Sequence, residues 1–234
     1  MSISRPMSLT LYFHPFSSYC QKALIALYEN ATPFTAKVIN LGDAGSASEL
    51  KKIWPIGKFP VLRDETRDET VPESSIIIEY LAQYYPGPVS LIPPDPDTAR
   101  KVRQRDRFFD FYLNDALGKV VADHFRPPGK NDPFGVDMAR RMMATAYQIL
   151  EREMAGKTWG VGETFTMADC AAAPTLFYAN LISPFTDRYP AIAAYFSRLA
   201  MRPSFVRALK EAAPYNKGTP FEAEYNAQYQ RLTA

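Results

Sequence analysis

The segment Leu9-Thr-Leu-Tyr-Phe-His-Pro-Phe-Ser-Ser-Tyr-Cys-Gln-Lys22 decides the fold. Its first five residues are short and β-prone, and a polar turn over residues 14–18 then leads into a helical stretch over residues 19–30. A second β-prone stretch, residues 34–39, follows along the chain. Two strands joined by a helix of this length predict a βα unit with a parallel strand pair.

The next stretch of chain completes a small α/β layer. Residues 46–54 predict a short helix or an irregular segment. Residues 60–63 and 69–71, separated by the charged turn 64–68, predict a hairpin. Apolar residues at helical spacing in residues 74–85 predict a closing helix.

Composition changes at Pro86. Residues 86–96 hold five prolines in eleven positions, which is too many for a helix or an inner strand and predicts a stiff linker. Almost everything beyond it has helical periodicity, over residues 97–124, 133–155, 167–181, 191–201 and 204–213. The expected units are therefore residues 8–86, a linker at 87–97, an all-α domain at 98–214 and a C-terminal tail at 215–234.

Composition excludes several classes of protein. The chain has 234 residues, with 27 Lys and Arg against 25 Asp and Glu, so its net charge of +2 suggests neither a nucleic-acid nor a membrane partner. Two cysteines and two histidines cannot form a disulfide framework or a Cys/His zinc cluster, and we expect no metal. Because no apolar stretch fits a signal peptide or a membrane span, we expect a cytoplasmic protein.

Three loops carry the residues from which we predict a site. Ser17 and Ser18 lie where the first strand ends and the first helix begins. A helix N-terminus carries roughly half a positive charge and stabilises a thiolate or another anion; a plain N-cap is the alternative. Residues 58–60 lie at the mouth of a strand beside the same sheet edge, and residues 73–74 begin a second helix. We expect the three loops to converge.

These motifs resemble the glutathione site of the cytosolic glutathione S-transferases, in particular bacterial, serine-type members with a theta- or zeta-like turn. The first eighty-five residues resemble that family's thioredoxin-like domain, and the helical remainder resembles its second domain. The resemblance implies a fold of α/β plus all-α class, with an N-terminal thioredoxin-like domain and a C-terminal all-helical domain. It also implies glutathione as co-substrate, no metal, and a homodimer.

The resemblance assigns a role to each residue of two motifs. Phe59-Pro60 resembles the family's cis-proline motif, which turns the backbone of Phe59 towards the cysteinyl part of glutathione. Glu73 and Ser74 resemble the pair that binds the ammonium and carboxylate of the γ-glutamyl end. Lys58 takes the position that contacts the glycyl carboxylate. The alternatives are an ordinary strand-start proline, a capping pair and a surface lysine.

Ser17 resembles the catalytic serine of theta- and zeta-like enzymes, which donates a hydrogen bond to the glutathione thiolate. A register slip of one residue favours Ser18, a beta-type register favours Tyr19, and tyrosine-type enzymes suggest Tyr12. With serine at position 17 the turn lacks an attacking thiol, so Cys20 is predicted to be a small buried hydrophobe without dithiol redox chemistry.

The family's substrate pocket lies between the domains, against the first long helix and the tail. The residues assigned to it are Phe16, Phe108, Phe111 and Tyr112, with the core as the alternative location for the helix aromatics. In the tail, apolar side chains recur every four residues, at Phe221, Tyr225 and Tyr229. This spacing predicts a helix that either closes the pocket as a lid or docks on the surface.

Two further patterns have structural interpretations. The basic run of the first long helix is predicted to be a solvated face; it comprises Arg100, Lys101, Arg103, Arg105 and Arg107. Thr166 and Asp169 form a variant capping box that starts a buried helix.

The sequence therefore favours a glutathione transferase that activates the thiol for attack on a small apolar electrophile. A glutathione-dependent isomerase or hydroperoxide reductase is the first alternative. A non-enzymatic binding protein that reuses the fold is the second.

Overall fold

Four short strands form one mixed sheet in the order β2-β1-β3-β4. The computed structural model describes residues 8–233. The strands are β1 Leu9–Phe13, β2 Thr35–Val38, β3 Val61–Asp64 and β4 Glu69–Pro72. β1 pairs in parallel with β2 and antiparallel with β3, and β3 pairs antiparallel with β4. The predicted parallel pair and hairpin are confirmed.

Three helices accompany the sheet: α1 Ser18–Glu29, α2 Ala44–Ile53 and α3 Ser74–Tyr84. In α1, all eight residues from Cys20 to Leu27 are buried. An amphipathic surface helix buries only one face, so this continuous burial means that α1 is covered on both sides. It contacts α3 and also two helices from later in the chain, α7 (Met167–Ile182) and α9 (Pro203–Ala212).

The rest of the chain is helical, which confirms the predicted fold class. Its helices are α4 Pro96–Phe108, α5 Asp115–His124, α6 Pro133–Met154, α7 Met167–Ile182, α8 Pro190–Ala200, α9 Pro203–Ala212 and α10 Glu222–Thr233. A π-helical segment, Phe109–Asn114, joins α4 to α5, so the helix predicted over residues 97–124 is continuous but irregular. The domain boundaries drawn from composition stay predictions.

Helix α7 is the buried centre of the helical half, and nearly all of its residues are shielded from solvent. The predicted capping box is present: the Asp169 carboxylate accepts from the Thr166 amide at 2.8 Å and from its hydroxyl at 3.0 Å. The same carboxylate also accepts from the Gly160 amide at 2.7 Å and from the Tyr195 hydroxyl at 2.6 Å. It therefore fixes both the start of α7 and the loop before it.

A buried ionic cluster joins the two halves. Lys22 of α1 is fully buried, and its Nζ lies 2.6 Å from Asp106 Oδ1 and 2.8 Å from Asp110 Oδ2. It also donates to Ser75 Oγ at 2.7 Å, and Ser75 in turn donates to Asp106. Arg107 Nη2 lies 2.9 Å from Asp106 Oδ2 and supplies a second cation. Burial raises the pKa of the Asp110 carboxyl, and the Lys22 ammonium opposes that rise.

Replacing Lys22 with alanine should destabilise the protein strongly, because two carboxylates would remain buried with only Arg107 at their edge. We expect a loss of about 3 to 5 kcal/mol in the free energy of unfolding, measured by urea denaturation. Lys119→Ala removes an exposed partner of Asp115 and should change that free energy little. An unchanged unfolding midpoint in Lys22→Ala would contradict the role of the cluster.

Candidate functional site

The turn after β1 places Ser17 at the N-terminus of α1. Its amide donates to the His14 carbonyl at 3.0 Å, and its backbone is extended, as an N-cap requires. Ser17 Oγ accepts from the Cys20 amide at 3.4 Å. Within residues 8–233 the Ser17 hydroxyl donates to no oxygen or nitrogen acceptor, and the only acceptor beside it is the weakly accepting sulfur of Cys20. That proton is therefore available to a ligand.

The hydroxyl groups of the two following residues are already engaged. Ser18 Oγ donates to Asn114 Oδ1 at 3.0 Å, and the Tyr19 hydroxyl donates to the Asp110 carbonyl at 3.3 Å. Burial, together with the charge of Asp110, raises the pKa of Tyr19 to about 12, so its phenol stays protonated at neutral pH. The Ser17 hydroxyl thus differs from those of Ser18 and Tyr19, which both donate to an oxygen atom of the protein.

The two remaining candidate residues near this turn, Tyr12 and Cys20, both pack against hydrophobic clusters of the fold. Tyr12 on β1 packs against a small cluster around Ile39, Leu50 and Val61. Cys20 is fully buried, and its Sγ accepts a weak hydrogen bond from the His14 amide at 3.4 Å. Burial raises the pKa of the Cys20 thiol to about 12, which makes it a poor nucleophile.

The two other predicted loops reach the same edge of the sheet. The peptide bond between Phe59 and Pro60 is cis, as predicted, and Pro60 is buried immediately before β3. Glu73 precedes α3 with φ of 71° and is exposed. This left-handed conformation costs a non-glycine residue about 1 to 3 kcal/mol. Ser74 is the first residue of α3, where backbone amides lack helical partners.

The loops enclose a polar cleft of about 220 Å³. It is lined by Tyr19, Trp54, Lys58, Phe59, Pro60, Glu73, Ser74, Ser75, Arg107, Asp110 and Phe111. The structure thus brings together all five residues predicted to bind glutathione. The sequence predicted a solvated face for Arg107, but this side chain, 44% exposed, lines the cleft while it pairs with Asp106.

A larger apolar cavity of about 400 Å³ adjoins the cleft, because Tyr19 lines both. Its other lining residues are Phe16, Ser17, Ser18, Asn114, Leu117, Gly118, Val121, Ala122, Phe125, Tyr178, Leu181, Ile182, Asn216, Thr219, Pro220, Phe221 and Tyr225. None of these described residues carries a charge. The apolar cavity therefore suits an uncharged molecule, with the Ser17 hydroxyl on its wall.

One of the four residues predicted to line the substrate pocket is in the apolar cavity. Phe16 lies there and packs against Tyr178 at 5.5 Å between ring centroids. Phe111 lines the polar cleft instead, Phe108 lines a separate surface cavity beside α4, and Tyr112 is 49% exposed against the Phe108 ring. The structure does not bring these three to the apolar cavity.

The helix face that does line the apolar cavity starts at Asn114 and continues through Leu117 and Val121 to Phe125. The π-helical segment has wider turns than an α-helix and so changes which side chains face inward. An α-helical wheel over this stretch cannot account for that change.

The C-terminal tail forms the outer wall of the apolar cavity. Phe221 and Tyr225 line it, and Tyr229 stacks on Tyr225 at 6.1 Å. Buried Gln228 anchors α10 by donating to the Phe177 carbonyl at 2.8 Å and accepting from Asn180 at 2.6 Å. The predicted tail helix is therefore docked over the cavity.

Residues 8–233 contain neither a cluster of metal-ligating side chains nor a helix that could span a membrane. No three His, Cys, Asp or Glu side chains are grouped so that they could hold a metal ion. No helix in this range combines the length and the apolar character needed to cross a membrane.

Comparison with known proteins agrees with this architecture. Residues 11–89 match the family described as glutathione S-transferase, N-terminal domain, and residues 103–198 match glutathione S-transferase, C-terminal domain. A probable maleylacetoacetate isomerase of Caenorhabditis elegans is 28% identical over 227 residues, covering 92% of this chain and 97% of the relative.

Two crystal structures of bacterial glutathione S-transferases are also similar. The protein from Methylobacillus flagellatus KT, with glutathione bound, is 25% identical, with a TM-score of 0.80 over 86% of this chain and 98% of the other. The protein from Methylobacterium radiotolerans JCM 2831, in complex with glutathione sulfonate, is 29% identical, with a TM-score of 0.73 over 86% and 93%. The chain belongs to the glutathione S-transferase superfamily, a family of glutathione-dependent enzymes.

Proposed function

We propose that this protein is a glutathione transferase in which Ser17 stabilises the glutathione thiolate for attack on an electrophile in the apolar cavity. One observation carries the proposal. The Ser17 hydroxyl donates to no oxygen or nitrogen atom of residues 8–233, and it lies at the N-terminus of α1 on the wall of the apolar cavity, two residues from Tyr19, which also lines the polar cleft. A thiol that extends from the cleft towards Ser17 meets both the donor and the electrophile.

The polar cleft offers a group for each end of glutathione. The amides and hydroxyl of Ser74 at the start of α3 suit the γ-glutamyl carboxylate, and Glu73 suits the ammonium. The backbone of Phe59, beside cis Pro60, suits the cysteinyl part. Lys58 suits the glycyl carboxylate. Glutathione or its sulfonate is present in the two bacterial relatives, which supports this assignment.

Activation of the thiol requires a moderate free energy. Lowering a thiol pKa from about 8.5 to about 6.5 raises the ionised fraction at pH 7 roughly 25-fold and corresponds to about 2.7 kcal/mol. A hydroxyl donor and a helix N-terminus supply about 1 kcal/mol or more each. Ser17 acts in this scheme as a hydrogen-bond donor to the sulfur and forms no covalent bond.

Removal of the Ser17 hydroxyl should therefore raise the pKa of bound glutathione. In Ser17→Ala we expect the thiol to titrate closer to about 8.5, and conjugation at pH 7 to fall about 10- to 100-fold because a charge-assisted hydrogen bond is lost. Ultraviolet absorbance of the thiolate, followed across pH, measures the first effect. Steady-state kinetics measure the second.

Two matched variants separate this role from the N-cap role of Ser17. Ser17→Thr keeps both the cap and the hydroxyl, so it should retain a lowered thiol pKa. Ser18→Ala removes the neighbouring hydroxyl, which already donates to Asn114, and should leave the thiol pKa near that of the wild type. If the pKa of the bound thiol in Ser17→Ala were as low as in the wild type, the assignment of Ser17 would be refuted.

Redox chemistry at Cys20 is the function that the geometry argues against. Because burial raises its pKa to about 12, its thiolate fraction at pH 8 is about one thousandth of that of an ordinary thiol with a pKa near 9. Iodoacetamide at pH 8 should therefore leave Cys20 unmodified in the folded protein and modify it in urea, as read by peptide mass spectrometry. Rapid labelling of the folded protein would contradict this expectation.

A glutathione-dependent isomerase is the second candidate, because the nematode relative carries the name of an enzyme acting on maleylacetoacetate. The name denotes an anionic substrate. The described lining of the apolar cavity offers no cation to such a group, and an unpaired charge is costly in an apolar site. The uncharged lining favours transfer to a neutral electrophile over that isomerisation.

A matched pair of electrophiles tests this preference. For each electrophile, the rate enhancement is the enzymatic rate divided by the rate of the uncatalysed reaction with glutathione. The enhancement for methyl 4-(bromomethyl)phenylacetate should be at least about tenfold higher than that for its free acid, because only the acid places a carboxylate in the apolar cavity. Val121→Lys should reduce that ratio, whereas the uncharged control Val121→Gln should not. Equal enhancements for ester and acid in the wild type would favour the isomerase.

We further propose a homodimer in the cytoplasm, on the pattern of the family. Exposed apolar side chains at every fourth position of α6, Phe134, Met138 and Met142, are compatible with contact between subunits. A glutathione-dependent hydroperoxide reductase and a non-enzymatic binding protein are the remaining alternatives. Absence of both glutathione binding and conjugation would favour the non-enzymatic binding protein, whereas glutathione binding with turnover of hydroperoxides alone would favour the reductase.

A further inference from the structure

A glycine lies in the middle of the helix face that forms the floor of the apolar cavity. Gly118 belongs to α5, between Leu117 and Val121 on the same lining face. Apart from its two chain neighbours and the backbone of its own helix, a methyl group placed on Gly118 would have no heavy atom within 4 Å of it. The space next to Gly118 is therefore open.

The fold itself has no need of glycine at this position. The backbone of Gly118 is helical rather than left-handed, and no neighbouring chain approaches closely enough to exclude a side chain. Glycine destabilises the interior of a helix relative to alanine, because it loses more backbone freedom on folding. What Gly118 provides is room within the apolar cavity.

The other walls indicate what that room accepts. Phe16 lies 5.5 Å from Tyr178 and 5.4 Å from Tyr225 between ring centroids, so three aromatic rings meet in the lining. Aromatic side chains of this kind pack well against a flat ring. Since no described lining residue is charged, an extended uncharged aromatic system fits the lining best.

We propose that Gly118 is a specificity-determining residue, which widens the apolar cavity so that it accepts electrophiles larger than a single aromatic ring. The proposal rests on the proposed function, because it names the size of the electrophile for the same site. Gly118 takes no part in activating the thiol. Its replacement should therefore change the range of substrates and leave the thiolate unchanged.

Two electrophiles that differ by one fused ring provide the kinetic test: 1-chloro-2,4-dinitrobenzene and 1-chloro-2,4-dinitronaphthalene. For Gly118→Leu, kcat/KM with the naphthalene should fall at least about tenfold more than kcat/KM with the benzene, mainly through KM. Gly118→Ala should give a smaller loss in the same direction. Lys119→Ala, on the same helix and outside the lining, should change neither.

Thermal unfolding distinguishes this role from damage to the fold. Gly118→Ala should unfold at a higher temperature than the wild type, because alanine favours the helix, while it loses activity towards the larger ring. If Gly118 had only a structural role, its replacement would lower the unfolding temperature and the activity towards both electrophiles together. That result, or an unchanged preference between the two rings in Gly118→Leu, would overturn the proposal.

Binding measurements keep the outcome separate from that of the proposed function. Calorimetry with 1,3-dinitronaphthalene and 1,3-dinitrobenzene, which have no leaving group, reports the size of the cavity without catalysis. Suppose that the wild type conjugates neither chloride, but that Gly118→Leu loses binding of 1,3-dinitronaphthalene and keeps binding of 1,3-dinitrobenzene. The transferase assignment then fails and the role of Gly118 stands. If the wild type conjugates both chlorides and Gly118→Leu binds both nitroaromatics as tightly as the wild type does, the role of Gly118 fails.

Discussion

The ammonium group of Lys22 is the constraint on which the rest of the architecture depends. It lies in the middle of a helix that is buried on all sides, and it is compensated only by carboxylates and a hydroxyl from other elements. A buried charge is tolerated only when such partners are in place. The cluster therefore fixes α1, the start of α3 and the α4 region at one relative position. Ser75 and Asp110, which belong to it, also line the polar cleft.

The same cluster explains how a folding device and a binding site come to share residues. Ser17 begins the helix that carries Lys22, and Ser74 begins the helix that carries Ser75. Both helix N-termini are thus held on an internal ionic framework, where Ser17 lines the apolar cavity and Ser74 lines the polar cleft. Preorganised donors of this kind stabilise an anion without reorganisation at the moment of reaction. The exposed, left-handed Glu73 is the local cost of that arrangement.

Most of the fold and the residues of the polar cleft were predictable from sequence, because the patterns that indicate them are local. The β1 turn, the hairpin, the capping box at Thr166 and the glutathione-site motifs each lie within a few adjacent residues. Arg107 and Gly118 have no such signal, because their positions depend on which helix packs opposite them. The aromatic residues at positions 111 and 112 show the same limit. Helical spacing alone cannot place Phe111 or Tyr112, since they lie in the π-helical segment, whose wider turns change which face turns inward.

The tail wall has a consequence for how such a protein diversifies. Helix α5 and the tail supply walls of the apolar cavity but no residue of the ionic cluster, which belongs to α1, α3, α4 and the π-helical segment. The tail is anchored by Gln228 and by the packing of buried Tyr225, and substitutions at its cavity-lining residues alter the cavity without touching the ionic cluster. Selection can therefore act on the range of accepted molecules separately from stability and from the chemistry of the sulfur. Duplicated copies of such a gene can diverge in their targets while they conserve one reaction.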